Sequence, residues 1–227
     1  MGVPAATSGD ASGPDWCYIS SGTWALMGVE TPQPVVNDLC RQLNFTNEGG
    51  VGGTIRLLKN ITGLWLLQEC RRVWNDQGKD LDWDQLNQLG DAASPLASLI
   101  NPDDPQFMAP TDMPEAIRTA CGRHGEPIPQ DVGAVVRCAL DSLAMKSRQV
   151  LSWLERLVGR RLSTIHIVGG GALNQRLCQA TADACGRPVV AGPVEATAIG
   201  NVMMQAVAAG AVGSIGEARE IVRRSFL

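Results

Sequence analysis

The sequence predicts an α/β fold, and the order of its elements is the main reason. Two β-prone runs separated by a short polar turn lie near the start, a mostly helical middle follows, and the last third reads strand, helix, strand, helix, helix. Strands that alternate with helical segments are typical of α/β domains.

The composition is that of a globular chain. Of its 227 residues, 44% are hydrophobic and 19% are charged, which suits one large domain or two small ones. A net charge of −4 argues against a broad nucleic-acid surface. Because neither an apolar run of membrane-spanning length nor a signal peptide is evident, we expect a cytoplasmic protein with no membrane or nucleic-acid partner.

The seven cysteines are scattered, odd in number and without a CxxC pair. This pattern argues against a disulfide scaffold and against a structural zinc site. Cys121 and His124 make the nearest approach to a metal motif, but no second pair of ligands has matching spacing. We expect a buried thiol beside a surface histidine and no metal site in the chain.

The first elements are a polar tail and a hairpin. Residues 1–15 are small and polar, and we expect them to be flexible. Residues 16–20 and 24–29 are β-prone, and residues 21–23 between them have turn chemistry. The tip of this hairpin would present hydroxyls and a glycine amide, which suit a phosphate, although an ordinary Ser/Thr-rich turn is the alternative interpretation.

The elements that follow are less distinct. Residues 43–47 are expected to form a third strand, and the glycine-rich residues 48–53 a mobile loop. Apolar residues at helical spacing through 54–75 predict a helix, or two helical pieces with Asn60 at their junction as an N-cap. Further helices are predicted at 83–93, 115–121 and 130–158.

The last third contains the clearest chemical feature, the turn at residues 169–171. A strand is predicted at 163–168, a helix at 173–185, a strand at 188–191, and helices at 195–209 and 215–224. Three consecutive glycines let the backbone approach a ligand, and the N-terminus of the following helix favours an anion.

Two kinds of nucleotide site fit this turn. The first is the dinucleotide fingerprint G-x-G-x-x-G, which is incomplete here because Asn174 occupies the third glycine position. The second is a split site of the actin-like kind, in which the glycine turn holds the adenosine and a separate hairpin meets the phosphates. The chain has both parts of the split site, at residues 20–23 and 169–171.

No arrangement of residues suggests a nucleophile with its base. His166 lies in a predicted strand and His124 in a loop, so both are expected to be structural. No pair of carboxylates has recognisable general acid–base spacing. Phosphoryl transfer requires a carboxylate that orients or deprotonates the acceptor hydroxyl, so this absence bears on any kinase hypothesis.

Five segments resemble the FGGY carbohydrate kinases, and the rhamnulokinases among them. They are YISSGTW at 18–24, NEGG at 47–50, LKNITGLWLLQ at 58–68, HIVGGG at 166–171 and AGPVEAT at 191–197. The resemblance implies an actin-like, ribonuclease-H-like ATPase lobe, a mixed sheet with flanking helices. That nucleotide-binding C-terminal domain would occupy residues 16–227, after a remnant of the inter-lobe segment at residues 1–15.

The resemblance also implies a reaction and a set of contacts. The reaction is Mg²⁺-dependent transfer of the γ-phosphate of ATP to the 1-hydroxyl of L-rhamnulose. Asn60 would contact the sugar, and Asn60 and Gln68, eight residues apart, would share one helix face. The expected ATP contacts are Thr23, Gln68, Gly170, Gly171 and Asn174.

Relatives in this family have two lobes, and their catalytic Asp precedes the segment that this chain resembles. We therefore expect no catalytic base in the chain, no rhamnulokinase activity from the chain alone, and weak binding of ATP without the missing N-terminal lobe. A non-catalytic nucleotide-binding or assembly module is the alternative. Cys121 and Cys138 fall where some relatives carry a cysteine pair; two reduced thiols are expected in a reducing cytoplasm.

Overall fold

The structure is a computed structural model that describes residues 15–226. The expected flexible tail at 1–15 therefore lies outside the described residues except for its last position. The strands are β1 (Trp16–Ser21), β2 (Trp24–Thr31), β3 (Thr46–Gly49), β4 (Ile55–Thr62), β5 (Thr164–Val168) and β6 (Val189–Ala191). The helices are α1 (Asp38–Gln42), α2 (Trp65–Asp76), α3 (Trp83–Ala92), α4 (Met113–Arg123), α5 (Val132–Val158), α6 (Gln175–Cys185), α7 (Ala196–Ala208) and α8 (Ile215–Phe226).

The six strands form one mixed sheet in the order β3-β4-β2-β1-β5-β6. The first four strands pair antiparallel with their neighbours, whereas β1, β5 and β6 run parallel. The expected hairpin is therefore present as β1 and β2, and the expected mixed sheet with flanking helices is confirmed.

The helix predicted at 54–75 is wrong in its first half, because residues Ile55–Thr62 form strand β4. β4 pairs with β2 along its full length and with β3 on its other side, so tertiary pairing overrides the helical spacing of its leucines. The true helix begins only at Trp65. Asn60 is consequently a strand residue opposite Leu26, not an N-cap, and it shares no helix face with Gln68.

Most other helices lie close to their predicted positions because their caps are explicit in the sequence. Asp82 and Gln85 form a reciprocal capping box at α3. Asp112 and Asp131 cap α4 and α5 with their side-chain oxygens. The short helix α1 was not predicted.

Two apolar clusters hold the layers together. One lies between the sheet and the C-terminal half of α5, and it includes alternate residues of β1, β2 and β5. The other joins α2, α3, α4 and the N-terminal half of α5 with Leu177 of α6. α7 and α8 lie on the opposite face of the sheet, where Arg219 of α8 pairs with Glu30 of β2.

All seven cysteines are free thiols. The sulfur atoms of Cys121 and Cys138 are 3.9 Å apart in the core, and burial raises the pKa of both thiols. No helix between residues 15 and 226 combines the length and the apolar character that a membrane-spanning segment needs.

Candidate functional site

The tip of the β1–β2 hairpin is held by the start of α2. The backbone N–H groups of Leu64 and Trp65 donate to the carbonyl oxygens of Gly22 and Thr23, at 2.9 and 3.0 Å. Gly63 fits beneath the tip only because it has no side chain, since a Cβ there would lie 2.6 Å from the Gly22 oxygen. These contacts leave the Thr23 side chain exposed beyond the sheet.

The glycine turn after β5 packs directly against the same hairpin. Gly169 has a φ of 86°, and a Cβ on it would lie 2.6 Å from the carbonyl oxygen of Ser21. A Cβ on Gly171 would overlap the Ser21 hydroxyl. By contrast, a Cβ on Gly170 would meet nothing within 4 Å. Two of the three glycines therefore join the turn to the hairpin, and Gly170 alone faces open space.

The tip of the β1–β2 hairpin and the glycine turn together border an open cavity of about 680 Å³. Asn60 and Gly170 both line it, and the exposed Trp24 and Met108 add apolar surface. None of the described residues that line the cavity carries a titratable side chain. The full lining is Ser20, Ser21, Gly22, Trp24, Leu26, Asn60, Met108, Gly169 and Gly170.

Only some of the expected ATP contacts lie at the cavity. Thr23 is exposed at the hairpin tip beside the cavity, and Gly170 lies on its wall. Gly171 is buried against Ser21, and Gln68 is a half-buried residue of α2. The roles of these residues toward a ligand remain predictions.

Asn174 is 8% exposed and caps α6. Its Oδ1 accepts from the backbone N–H of Leu177 at 2.8 Å. Its Nδ2 donates to Oδ1 of Asn87 on α3 at 3.0 Å. An ion pair between Arg176 and Asp91 joins the same two helices. The glycine turn is thus anchored to α3, a contact that sequence reasoning missed because 87 residues separate the two asparagines.

The segment between α3 and α4 also lines the cavity, through Met108, and this was not predicted. Asp103 accepts the backbone N–H of Thr62 at 2.8 Å and is paired with Lys146 of α5, also at 2.8 Å. Nearby, the indole N–H of Trp65 donates to the carbonyl oxygen of Phe107 at 2.9 Å. These bonds place Met108 at the cavity. The prolines of this segment predict an irregular path, but nothing in the sequence indicates which part of the fold the segment contacts.

The histidines have no part in the cavity. His166 lies in β5 with its ring edge-on to Trp16, and burial lowers its pKa to about 4. His124 caps the end of α4 through its backbone. Within the described range, 15–226, no group of three His, Cys, Asp or Glu residues is arranged to hold a metal ion.

Comparison with known proteins identifies relatives of this chain. Residues 17–209 match the model of the FGGY family of carbohydrate kinases, C-terminal domain. The rhamnulokinase of Bacteroides thetaiotaomicron is 51% identical over 212 residues, which are 93% of this chain and 43% of that protein. The rhamnulokinase of Bacillus subtilis is 41% identical over 211 residues, with the same two coverages. The chain therefore spans less than half the length of these curated relatives.

Solved structures share the fold at low sequence identity. Xylulose kinase from Rhodospirillum rubrum superposes with a TM-score of 0.66 and 16% identity, over 92% of this chain and 41% of that one. Plasmodium falciparum glycerol kinase with ADP gives a TM-score of 0.65 and 13% identity, over 94% and 42%. The fold is therefore the actin-like, ribonuclease-H-like one of sugar kinases. The family match across residues 17–209, which is most of the chain, shows that the chain belongs to the FGGY family of carbohydrate kinases and contains its C-terminal domain.

Proposed function

We propose that this chain is the nucleotide-binding lobe of a rhamnulokinase, which transfers the γ-phosphate of ATP to the 1-hydroxyl of L-rhamnulose. The observation that carries the proposal is the cavity of about 680 Å³ that Gly170 and hairpin residues 20–22 border together, with open space around Gly170. The substrate is taken from the relatives, which are named rhamnulokinase at 41% and 51% identity. The domain would extend over residues 16–227.

The geometry suits a nucleotide whose phosphates lie at the hairpin. Ser20 on the cavity wall and the exposed Thr23 offer hydroxyls there, and Gly22 lets a phosphate oxygen approach the backbone. The glycine turn, with Gly171 and Asn174 behind Gly170, would take the adenosine, and Gln68 would contact it from α2. Mg²⁺ would arrive bound to the phosphate oxygens and water, as it does in many phosphoryl-transfer sites.

The sugar would lie on the other side of the cavity. Asn60 is exposed on β4 opposite Leu26, so its amide is available to a sugar hydroxyl. None of the described residues that line the cavity is titratable, and the proposal accordingly takes the general base from a segment outside this cavity. We therefore propose that the chain alone is inactive and works with an N-terminal lobe. The seven free thiols support a cytoplasmic setting.

Binding of ATP can be tested with two matched glycine variants. Gly170 and Gly216 both have a negative φ; a Cβ on Gly170 would meet nothing within 4 Å, and one on the exposed Gly216 would make only an ordinary contact with the Ser214 hydroxyl at 3.6 Å. Gly170→Leu should place a side chain in the cavity and abolish ATP binding, whereas Gly216→Leu on α8, which does not line the cavity, should leave it unchanged. Titrations with Mg·ATP, monitored by nuclear magnetic resonance, would measure the ATP affinity of the two variants. Equal ATP affinity in the two variants would contradict the proposed site, and NAD is expected to cause no shifts.

The transfer reaction requires a second lobe, so we propose a chimera. This chain would replace the matching 212 residues of the Bacteroides thetaiotaomicron rhamnulokinase. The chimera should release ADP in the presence of L-rhamnulose, and the isolated chain should release none. A chimera that binds ATP but phosphorylates no sugar would favour the alternative, a non-catalytic nucleotide-binding or assembly module.

A further inference from the structure

We propose that Met108, on the segment between α3 and α4, is a specificity-determining residue that contacts the methyl group of a 6-deoxy ketose. The inference rests on the proposed function and adds a contact to the sugar side of the cavity. Met108 is 63% exposed and lines the cavity, as does Trp24, which is 50% exposed. Two large apolar side chains thus border one opening, and none of the described residues that line it is charged.

The order of the strands separates two ends of the cavity. Asn60 belongs to β4 and Gly170 follows β5, and strands β2 and β1 lie between them. Neighbouring strands are about 4.8 Å apart, so three strand spacings separate these two residues across the sheet. Trp24 of β2 pairs with Thr62, two residues beyond Asn60 on β4, so Trp24 shares a face with Asn60. Trp24 therefore lies toward the β4 end, where the sugar is proposed to bind.

The backbone before Met108 is attached to the same end of the cavity. Asp103 accepts the backbone N–H of Thr62, the last residue of β4, at 2.8 Å. The carbonyl oxygen of Phe107 accepts the indole N–H of Trp65 at 2.9 Å, and the Phe107 side chain is only 2% exposed. The position of Met108 is thus fixed by its neighbours, while its own side chain is left exposed toward the opening.

An apolar wall at this end favours a sugar that has an apolar group. L-rhamnulose carries a methyl group at C6, where L-fructose, otherwise identical, carries a hydroxymethyl group. Burial of a methyl group against a thioether and an indole is favourable. A hydroxyl in the same place would lose hydrogen bonds to water and gain only a weak acceptor in the sulfur of Met108. We therefore expect Met108 to favour the 6-deoxy ketose over its 6-hydroxy counterpart.

Three variants of the full chain test this preference. Met108→Asn makes the wall polar, and Met108→Leu keeps it apolar. The matched control is Leu96→Asn, because Leu96 is 60% exposed on the same segment but does not line the cavity, and asparagine tolerates its φ of 53°. Each protein would be titrated with L-rhamnulose and with L-fructose, monitored by nuclear magnetic resonance, and its thermal unfolding recorded. The chimera would give the corresponding ratio of kcat/KM for the two ketoses.

We expect the wild type to prefer L-rhamnulose about tenfold, and Met108→Asn to reduce this preference to about threefold or less. Met108→Leu and Leu96→Asn should keep the wild-type preference, and all melting temperatures should stay unchanged because both positions are exposed. An unchanged preference in Met108→Asn would overturn the inference, as would an equal weakening of both ketoses. If the wild-type chain and the chimera accept neither ketose, the proposed function is contradicted and the inference falls with it.

Discussion

The two faces of the sheet are built differently. On the face that packs against α5, alternate residues of β1, β2 and β5 are apolar and almost fully buried, and Met27 is 0% exposed. The opposite face presents Tyr18, Leu26 and Glu30 to α7 and α8, and an opening of about 680 Å³ remains between them. Burial there raises the pKa of Tyr18 to about 12.

This difference separates folding from function within the same strands. The α5 face provides a close-packed core, in which any loss of volume is costly. The second face contains polar groups and open space, and it continues into the candidate site, because Ser20 and Leu26 line both openings. Neighbouring residues of one strand should therefore respond to substitution in different ways.

The largest difference is expected between Met27 and Leu26, which are adjacent on β2 but face opposite ways. Met27→Ala should lower the free energy of unfolding by about 2–5 kcal/mol because it leaves a cavity in the core. Leu26→Ala should cost less than about 1 kcal/mol, since this side chain already borders open space. Urea denaturation would measure both, and equal losses would show that the faces are alike in packing.

A smaller difference is expected within the glycine turn. Gly171→Ala forces a methyl group against the Ser21 hydroxyl and should destabilise the fold by about 1–3 kcal/mol. Gly170→Ala should be neutral or slightly stabilising, because its Cβ would have open space around it. Thermal unfolding of the two variants would compare them. A destabilised Gly170→Ala would mean that this residue also packs against the protein.

The ion pair between Glu30 and Arg219 tests how α8 is held on the second face. Glu30 is 5% exposed and Arg219 24% exposed, and Arg219 donates to both carboxylate oxygens at 2.9 and 3.0 Å. Arg219→Met should cost about 1–2 kcal/mol, because it leaves a buried carboxylate without its partner.

The matched control for this pair is Arg223→Met, on the same helix. Arg223 pairs with Glu220 at the surface, where solvent screens the charges, so its removal should leave the free energy of unfolding nearly unchanged. In a double-mutant cycle with Glu30→Gln, the coupling energy should be measurable for Arg219. Equal effects of the two arginine variants would refute the view that this ion pair docks α8.

Sequence reasoning found the parts of the fold that depend on local chemistry. The hairpin predicted over residues 16–29, the positions of α3, α4 and α5, and the strand before Gly169 all depend on short segments of sequence. β4 was misread because Leu57, Leu58 and Ile61 satisfy a helical period as well as a strand, and only pairing with β2 and β3 decides between them.

The candidate site likewise has parts that local sequence predicted and parts that it did not. The glycine turn and the hairpin tip were predicted as the two parts of one site, and the structure packs Gly171 against Ser21. The residues that were missed reach the site from distant segments. Asp103 holds the end of β4, Met108 lines the cavity, and Asn87 contacts Asn174. Such contacts depend on the tertiary arrangement, and a single sequence contains no local signal for them.

The smallest expected effect concerns pH and the second face. Burial lowers the pKa of His166 to about 4, whereas an unfolded histidine has a pKa near 6.5. Between these values the unfolded chain binds a proton that the folded chain does not, so the free energy of unfolding should fall as the pH falls. After allowance for partial solvent screening, we expect a loss of about 1 kcal/mol between pH 7 and pH 5.

The variant His166→Gln separates this contribution from that of the carboxylates, which titrate in both proteins. Denaturation of each protein at several pH values should show a smaller loss of stability in the variant than in the wild type. Because Trp16 covers His166 edge-on, the second face must keep this strand dry for the difference to appear. Parallel pH profiles would mean that water reaches His166, and that the second face is open along β5 as well as at the cavity.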